Sequence, residues 1–336
     1  MFNKGFVDKP AEEIELHNLK KFNGNNNASM DLHEAWSLLI QKVEEENPDW
    51  KQNVALTWIE CTLVENTEYK NLFPLNAFSL FGDLSLVNFI IKNNMIENLS
   101  RNTKNGWTPI HNAAYYGHTE IVKALSACTE NPNAPAKDGR TPIYLAAFRG
   151  HTGIVKVLIG CTDNPNAPNN CGETPIHVAS RLGHTEIVKT LISIRYNGCI
   201  DNPNAPDNNG CTPIYWAVQY GETEIFKALI SCTDNPNVPT SGGETLIHVA
   251  SRLGHHEIVK TLAEYVDNPN APNNRGETPI HIAARYGHIE IAKLLMGYAD
   301  YSNACDYYGS SPKQEGSQTE IVELELNNIS NHQHSE

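Results

Sequence analysis

The sequence predicts an all-α fold: a solenoid of helix-turn-helix units joined by hairpin-like loops. Three observations predict it. The stretch Asp-Asn-Pro-Asn-Ala-Pro begins at residues 163, 201 and 267, and glycines that open similar segments follow one another in steps of 33 residues, with one step of 38. Most of these glycines precede a Thr-Pro pair and two apolar stripes at helical spacing. A fixed period of between about 20 and 50 residues is typical of a repeat architecture.

Each unit is expected to contain two short helices. Thr141 can cap a helix that begins at Pro142, because its hydroxyl accepts a bond from a backbone N–H and proline loses no hydrogen bond at the first position. Gly150 can adopt the left-handed conformation that ends such a helix. The first helix is therefore predicted to span residues 142–149, and a second follows with an apolar stripe that starts at Ile154.

The recurring Asn-Pro-Asn stretch is interpreted as the connector between units. Asparagine tolerates left-handed backbone angles, proline cannot continue a helix, and Asn or Asp side chains bond to nearby backbone amides. Cys128, Cys161 and Cys232 each precede a connector. They are interpreted as small buried residues of a reducing compartment, since equivalent positions in stacked units lie about 10 Å apart, too far for a disulfide.

The repeated motif resembles the ankyrin repeat. GWTPIHNAAYYGHTEIVKAL (106–125) and GETPIHIAARYGHIEIAKLL (276–295) carry the resemblance, which extends over residues 106–308 as six repeats. Residues 72–105 resemble a degenerate capping repeat, and residues 309–326 a truncated C-terminal one. The connector departs from the family by having proline where valine is usual. Leu246 replaces the usual helix-starting proline, and we expect that unit to be less stable.

The ends of the chain are expected to differ from the repeats. Residues 1–29 are poor in apolar side chains and are predicted to be disordered, and residues 327–336 form a polar tail. Residues 30–71 are a short helical segment with periodic apolar positions. Its helices, within residues 31–66, could either cap the repeats or dock onto another protein, and both readings stay open. The extra residues near 195–199 could be a helical turn or a loop.

Charge and composition exclude several function classes. The formal net charge of −14 opposes binding to nucleic acid, which depends on Lys and Arg at phosphates. No run approaches 18 apolar residues, and no apolar segment resembles a secretion signal, so neither membrane insertion nor export is expected. The chain is expected to be a monomer in the cytoplasm, with the nucleus as an alternative compartment.

No catalytic motif and no paired metal-ligand spacing occur in the sequence. Nine of the 14 histidines fall into two repeated columns, one after Thr-x-Ile and one after the helix-ending glycine. The resemblance implies that both columns form local hydrogen bonds, at the helix start and at the turn. We therefore expect no enzyme activity, no cofactor and no bound metal.

The resemblance implies that a protein partner binds along the concave groove, through the hairpin tips and the two residues before each helix-ending glycine. Tyrosine, tryptophan and arginine are frequent interface anchors. We expect an acidic or mixed peptide with apolar anchors, bound by an adaptor or scaffold; the alternative is a regulatory or substrate-receptor subunit of an enzyme assembly that docks through residues 31–66. The candidate binding residues are Trp107, Tyr115, Tyr116, Arg140, Phe148, Arg149, Arg181, Leu182, Tyr220, Arg252, Arg285, Tyr286 and Tyr308.

The connector asparagines suggest one modification. They match the hairpin asparagine that is hydroxylated in many ankyrin proteins, although the proline beside each opposes recognition by such an enzyme. The candidates are Asn133, Asn166, Asn204, Asn237 and Asn270.

Overall fold

The computed structural model describes residues 32–46, 54, 72–95, 102–194, 202–233, 236 and 242–298. These residues contain fifteen α-helices and no strand, so the prediction of an all-α ankyrin-repeat solenoid is confirmed. The terminal segments 1–29 and 309–336, and the extra residues 195–199, lie outside the described part of the chain.

The helices follow one another in pairs after the first. In chain order they are α1 (Leu32–Glu46), α2 (Pro74–Phe81), α3 (Leu84–Lys92), α4 (Pro109–Tyr116), α5 (Thr119–Ser126), α6 (Pro142–Arg149), α7 (Thr152–Ile159), α8 (Pro175–Arg181), α9 (Thr185–Ser193), α10 (Pro213–Tyr220), α11 (Thr223–Ile230), α12 (Leu246–Leu253), α13 (His256–Tyr265), α14 (Pro279–Arg285) and α15 (Ile289–Met296).

The chain forms two compact units, divided after Pro132. In the first unit α2 packs against α1, α3 and α4, and α5 packs against α3 and α4. The ring edge of Trp36 on α1 meets Phe78 with centroids 5.7 Å apart, and its indole N–H donates to the Leu72 carbonyl at 3.1 Å. Trp36, Leu39 and Val43 are fully buried. The apolar face of α1 is thus covered.

The second unit is a stack of five helix pairs. The first helices α6, α8, α10, α12 and α14 pack in that order, and the second helices α7, α9, α11, α13 and α15 pack in a parallel layer. Each second helix buries an isoleucine, the residue after it and the leucine four positions after the isoleucine. On α9 these are Ile187, Val188 and Leu191. The core therefore lies between the two layers and repeats with the sequence period.

A threonine and a histidine define the start of four first helices. The Nδ1 atoms of His111, His177, His248 and His281 accept hydrogen bonds from the N–H of the threonine three residues earlier, at 3.1 to 3.3 Å. The ring proton therefore lies on Nε2. His177 Nε2 donates to the Cys211 carbonyl of the next repeat, and His248 Nε2 donates to the Glu277 carbonyl of the next repeat, both at 3.1 Å. Helix α12 has the same cap although Leu246 replaces proline.

The hydrogen bonds of the histidines that follow the helix-ending glycines differ from the prediction. His288 does not bond within its own turn; its Nε2 reaches the Arg252 carbonyl of the preceding repeat at 3.1 Å. The ring lies against the helix-ending glycine of that repeat, so a Cβ added at Gly254 would stand 2.7 Å from the imidazole Cε1. Since Gly254 also has a φ of 79°, glycine is required there both for the left-handed turn and for the close approach.

The connector asparagines act through their side chains. The Oδ1 atoms of Asn133, Asn166 and Asn204 each accept the backbone N–H of the isoleucine ten residues later, at 3.0 to 3.1 Å. Asn94, outside these connectors, is the one non-glycine residue with a positive φ in the described ranges. The described connector asparagines therefore do not use left-handed backbone angles, and in these three loops the side-chain bond holds the turn.

The cysteines before the connectors are less buried than predicted. Cys128 is exposed, and Cys161 and Cys232 are half-buried. They follow the last helical turn and so fall outside the apolar stripe that faces the core. The thiol of Cys161 donates to the Val157 carbonyl at 3.4 Å.

The long step of 38 residues does not shift the stack. The Asn170 N–H donates to the Asp138 carbonyl at 3.0 Å, and across the longer step the Asn208 N–H makes the equivalent bond to the Cys171 carbonyl at 3.1 Å. Helix α8 still packs against α10. The surface loops therefore stay in register through this repeat.

We expect Asn166→Ala to lower the free energy of unfolding by about 1–3 kcal/mol, because it leaves the buried Ile176 N–H without its acceptor. Urea unfolding of the full chain measures the change. The control is Asn164→Ala, an exposed position in the same loop, which should shift stability by less than about 0.5 kcal/mol. Equal losses from the two variants would contradict the role of the Asn166 bond.

We also expect acid to destabilise the repeats before the carboxyl groups titrate. Burial lowers the pKa of His177 and of His248 below the ordinary value, and burial together with the neighbouring His288 lowers the pKa of His255. A folded-state pKa below the unfolded value favours the neutral ring, so this stability is present above about pH 6.5 and is lost as the pH falls. The urea midpoint should drop between about pH 7.5 and 5.5; a constant or rising midpoint would contradict this.

Candidate protein-binding surface

An exposed row of large side chains crosses four successive repeats of the second unit. The residue directly before the helix-ending glycine is Leu182, Tyr220, Leu253 or Tyr286, and each is between 37% and 54% exposed. We call these four residues the pre-glycine row. They stand at the ends of α8, α10, α12 and α14, which pack in sequence order, so they occupy equivalent places along one face of the stack.

In three of the four repeats the residue before the row residue is an arginine, and each of these arginines is paired with a glutamate. Arg181 Nη2 lies 3.2 Å from Glu173 Oε1, and Arg285 Nη1 lies 2.7 Å from Glu277 Oε1. Arg252 forms a two-pronged pair with Glu244, at 2.8 and 3.2 Å. These three arginines, predicted from the sequence as contacts for an acidic or mixed peptide, are therefore neutralised within their own repeats.

Neighbouring groups hold the glutamates in place. The Tyr144 hydroxyl donates to Glu173 Oε2 at 2.7 Å, and burial together with this carboxylate raises the pKa of Tyr144. Burial alone would raise the pKa of Glu277, but hydrogen bonds from Asn273 and Arg285 lower it below the ordinary value. The Glu277 carboxylate is thus kept ionised as the structural partner of Arg285.

Sequence reasoning missed Trp216, which lies beside the row. The Arg181 guanidinium carbon stands 5.6 Å from the centroid of its ring, and Tyr220 of the row stacks on the same indole at 6.1 Å. Equivalent positions in the neighbouring repeats hold Val178 and Val249, both buried. The available signal was a tryptophan in a column that is aliphatic in the other repeats of the second unit. The three glutamates were also missed, although each precedes its arginine by eight residues.

The remaining candidates are distributed over both units. In the first unit Trp107 and Tyr115 lie 5.5 Å apart and Tyr115 and Tyr116 lie 5.0 Å apart, all three half-buried. In the second unit Phe148 and Arg149 are exposed.

The last two candidates are Arg140 and Tyr308. Arg140 pairs with Asp138 at 2.9 Å. Tyr308 lies outside the described residues.

The proposed hydroxylation sites are poorly accessible where they are described. Asn133, Asn166 and Asn270 are buried, Asn204 is half-buried, and Asn237 lies outside the described residues. A hydroxylase could reach the Cβ of Asn166 only after the loop opened and the bond from the Ile176 N–H to the Asn166 side chain broke. Hydroxylation stays a prediction.

The described residues provide neither a cluster of metal-binding side chains nor a membrane-spanning helix. In the described ranges no group of three or more His, Cys, Asp or Glu residues is arranged to hold a metal ion. Among the described helices none has the length and apolar character needed to cross a bilayer.

Comparison with known proteins gives one family. The family model described as "Ankyrin repeats (3 copies)" matches residues 75–169, 149–240 and 225–305. No curated protein matches the chain in sequence.

Two solved structures are similar in fold. The ankyrin repeat domain of Bcl-3, a member of the IkappaB protein family, superposes with a TM-score of 0.58 at 19% identity, covering 66% of this chain and 99% of that one. The human ASB11 ankyrin repeat domain gives 0.54 at 25% identity, covering 66% and 97%. Ankyrin repeats are generally protein–protein interaction modules. With family-model matches that run from residue 75 to residue 305, the chain belongs to the ankyrin repeat family.

Proposed function

We propose that this protein is a non-catalytic adaptor or scaffold that binds a partner protein along the face carrying the pre-glycine row. The observation that supports it most is the row itself: four large side chains exposed at equivalent positions of four successive repeats. Single exposed apolar residues are common on protein surfaces, whereas contiguous ones mark interaction sites.

The chemistry of the row suits an interface. Tyr220 and Tyr286 each offer a ring with a polar hydroxyl, and tyrosine is among the residues that most often dominate binding energy. The neighbouring guanidinium groups of Arg181 and Arg252 keep fixed positions because of their glutamate partners. A surface with rigid charged groups around apolar anchors loses little conformational entropy on binding.

A mixed partner fits this surface better than a strongly acidic one. Three arginines that could have attracted carboxylates already have carboxylates beside them. The affinity of the row for a partner should therefore come mainly from apolar contact, with charge deciding specificity. Monomeric state and cytoplasmic location are part of the proposal.

The proposal includes no catalytic step. Ankyrin repeat folds are typically non-catalytic interaction modules. Three carboxylates beside the row, on Glu173, Glu244 and Glu277, are each engaged by an arginine, which is the arrangement of a structural ion pair.

The alternative, docking to an enzyme assembly through residues 31–66, gains no support from α1. Its apolar residues Trp36, Leu39 and Val43 are fully buried, so that face is not offered to another protein. Residues 55–66 lie outside the described part of the chain.

We expect the double variant Tyr220→Ala/Tyr286→Ala to capture at least about tenfold less partner than the unmodified chain, since losing about 1.4 kcal/mol of binding energy has that effect. Quantitative mass spectrometry of proteins captured from a cell lysate measures this, after circular dichroism confirms that the variant is folded.

The matched control is Tyr265→Ala/Tyr298→Ala. These two tyrosines are also exposed, but they stand at the ends of the second helices α13 and α15, away from the row. The control should keep the partner. If both double variants capture the same proteins in equal amounts, the row is not the binding surface.

A further inference from the structure

The distance between successive residues of the pre-glycine row sets the distance between the side chains of a partner that contact them. Packed helices lie about 8–10 Å apart, and the row contributes one side chain per packed first helix. Four row residues therefore extend over roughly 30 Å. An α-helix advances about 10.5 Å in seven residues, and an extended strand advances about 10 Å in three. Distance alone permits both kinds of partner segment.

The backbone beside the row distinguishes between them. An extended peptide must find partners for its own N–H and C=O groups, whereas a helix satisfies them internally. Next to Leu253, the Arg252 carbonyl already accepts from His288 and the Gly254 carbonyl from the His256 N–H at 3.0 Å. The Gly183 and Gly221 carbonyls are likewise taken, by Thr185 and Thr223. Each of these carbonyls keeps one lone pair at most for a ligand, so an extended peptide would depend on side chains and water for most of its backbone hydrogen bonds.

The charges beside the row add a second condition. The pairs Glu173–Arg181, Glu244–Arg252 and Glu277–Arg285 place both signs next to three of the row residues. Residues that flank the anchors of a partner would meet neutral pairs with mixed polarity. A partner segment with a run of like charges would place some of them against the residue of the same sign in each Glu–Arg pair.

We infer that the partner segment is an amphipathic α-helix of about three heptads, with apolar side chains at every seventh residue and mixed charges on either side. The inference rests on the proposed function and specifies its ligand. Each apolar side chain of this helix contacts one member of the pre-glycine row, between one Glu–Arg pair and the next.

Selection from a displayed library of random peptides, each about 25 residues long, tests this with the full chain as bait. A parallel selection uses Leu182→Asp/Leu253→Asp, which places charge in the row at two exposed positions and should leave the fold intact. Peptides enriched only by the unmodified chain are sequenced, synthesised and measured for binding and for helix content by circular dichroism.

We expect the enriched peptides to share apolar residues seven apart, to gain helix on binding, and to bind the aspartate variant at least about tenfold more weakly. Raising the salt from about 0.05 to 0.5 M should change their affinity less than about threefold, because the three arginines beside the row already have glutamate partners.

Three results would overturn the inference. Enrichment of proline-containing peptides or of apolar residues three apart would indicate an extended ligand, and enrichment of acidic runs would indicate free arginines. Peptides bound equally by the aspartate variant would place the ligand elsewhere. The tyrosine capture experiment decides the proposed function separately, because it depends on no assumption about the partner's conformation.

Discussion

The second unit depends on hydrogen bonds that run from one repeat to the next through imidazole rings. His177 shows the arrangement: Nδ1 caps its own helix and Nε2 donates to the Cys211 carbonyl of the following repeat. The His177 side chain thus caps its own helix and also holds the next repeat against it. The same arrangement recurs at His248 and the Glu277 carbonyl, so in these two repeats the cap of one helix also sets the position of the next repeat.

The exposed pre-glycine row is a consequence of that stacking. The glycine that ends each first helix must lie against the next repeat's second-helix start, as Gly254 lies against His288. The residue immediately before this glycine cannot face the core at the same time, so it projects outward. A large apolar residue at that position in several successive repeats therefore produces an exposed row in register.

The paired charges surround the row with polar groups. A contiguous apolar surface risks aggregation unless polar groups surround it. The Glu244–Arg252 pair supplies polar groups of both signs without a strong local field. Trp216 adds a rigid aromatic base beneath Tyr220 and Arg181, which limits the conformations that these side chains can adopt.

The sequence by itself determined the repeat, the helix pair within it and the identity of the outward-facing positions, because these depend on local rules: Thr141 before Pro142, Gly150 after the helix, and apolar residues at helical spacing. It could not determine the work of the connector asparagines, the reach of His288 into the preceding repeat, or the pairing of Arg181 with Glu173. Those depend on which groups two separate segments bring within about 3 Å, and only the tertiary structure decides that distance.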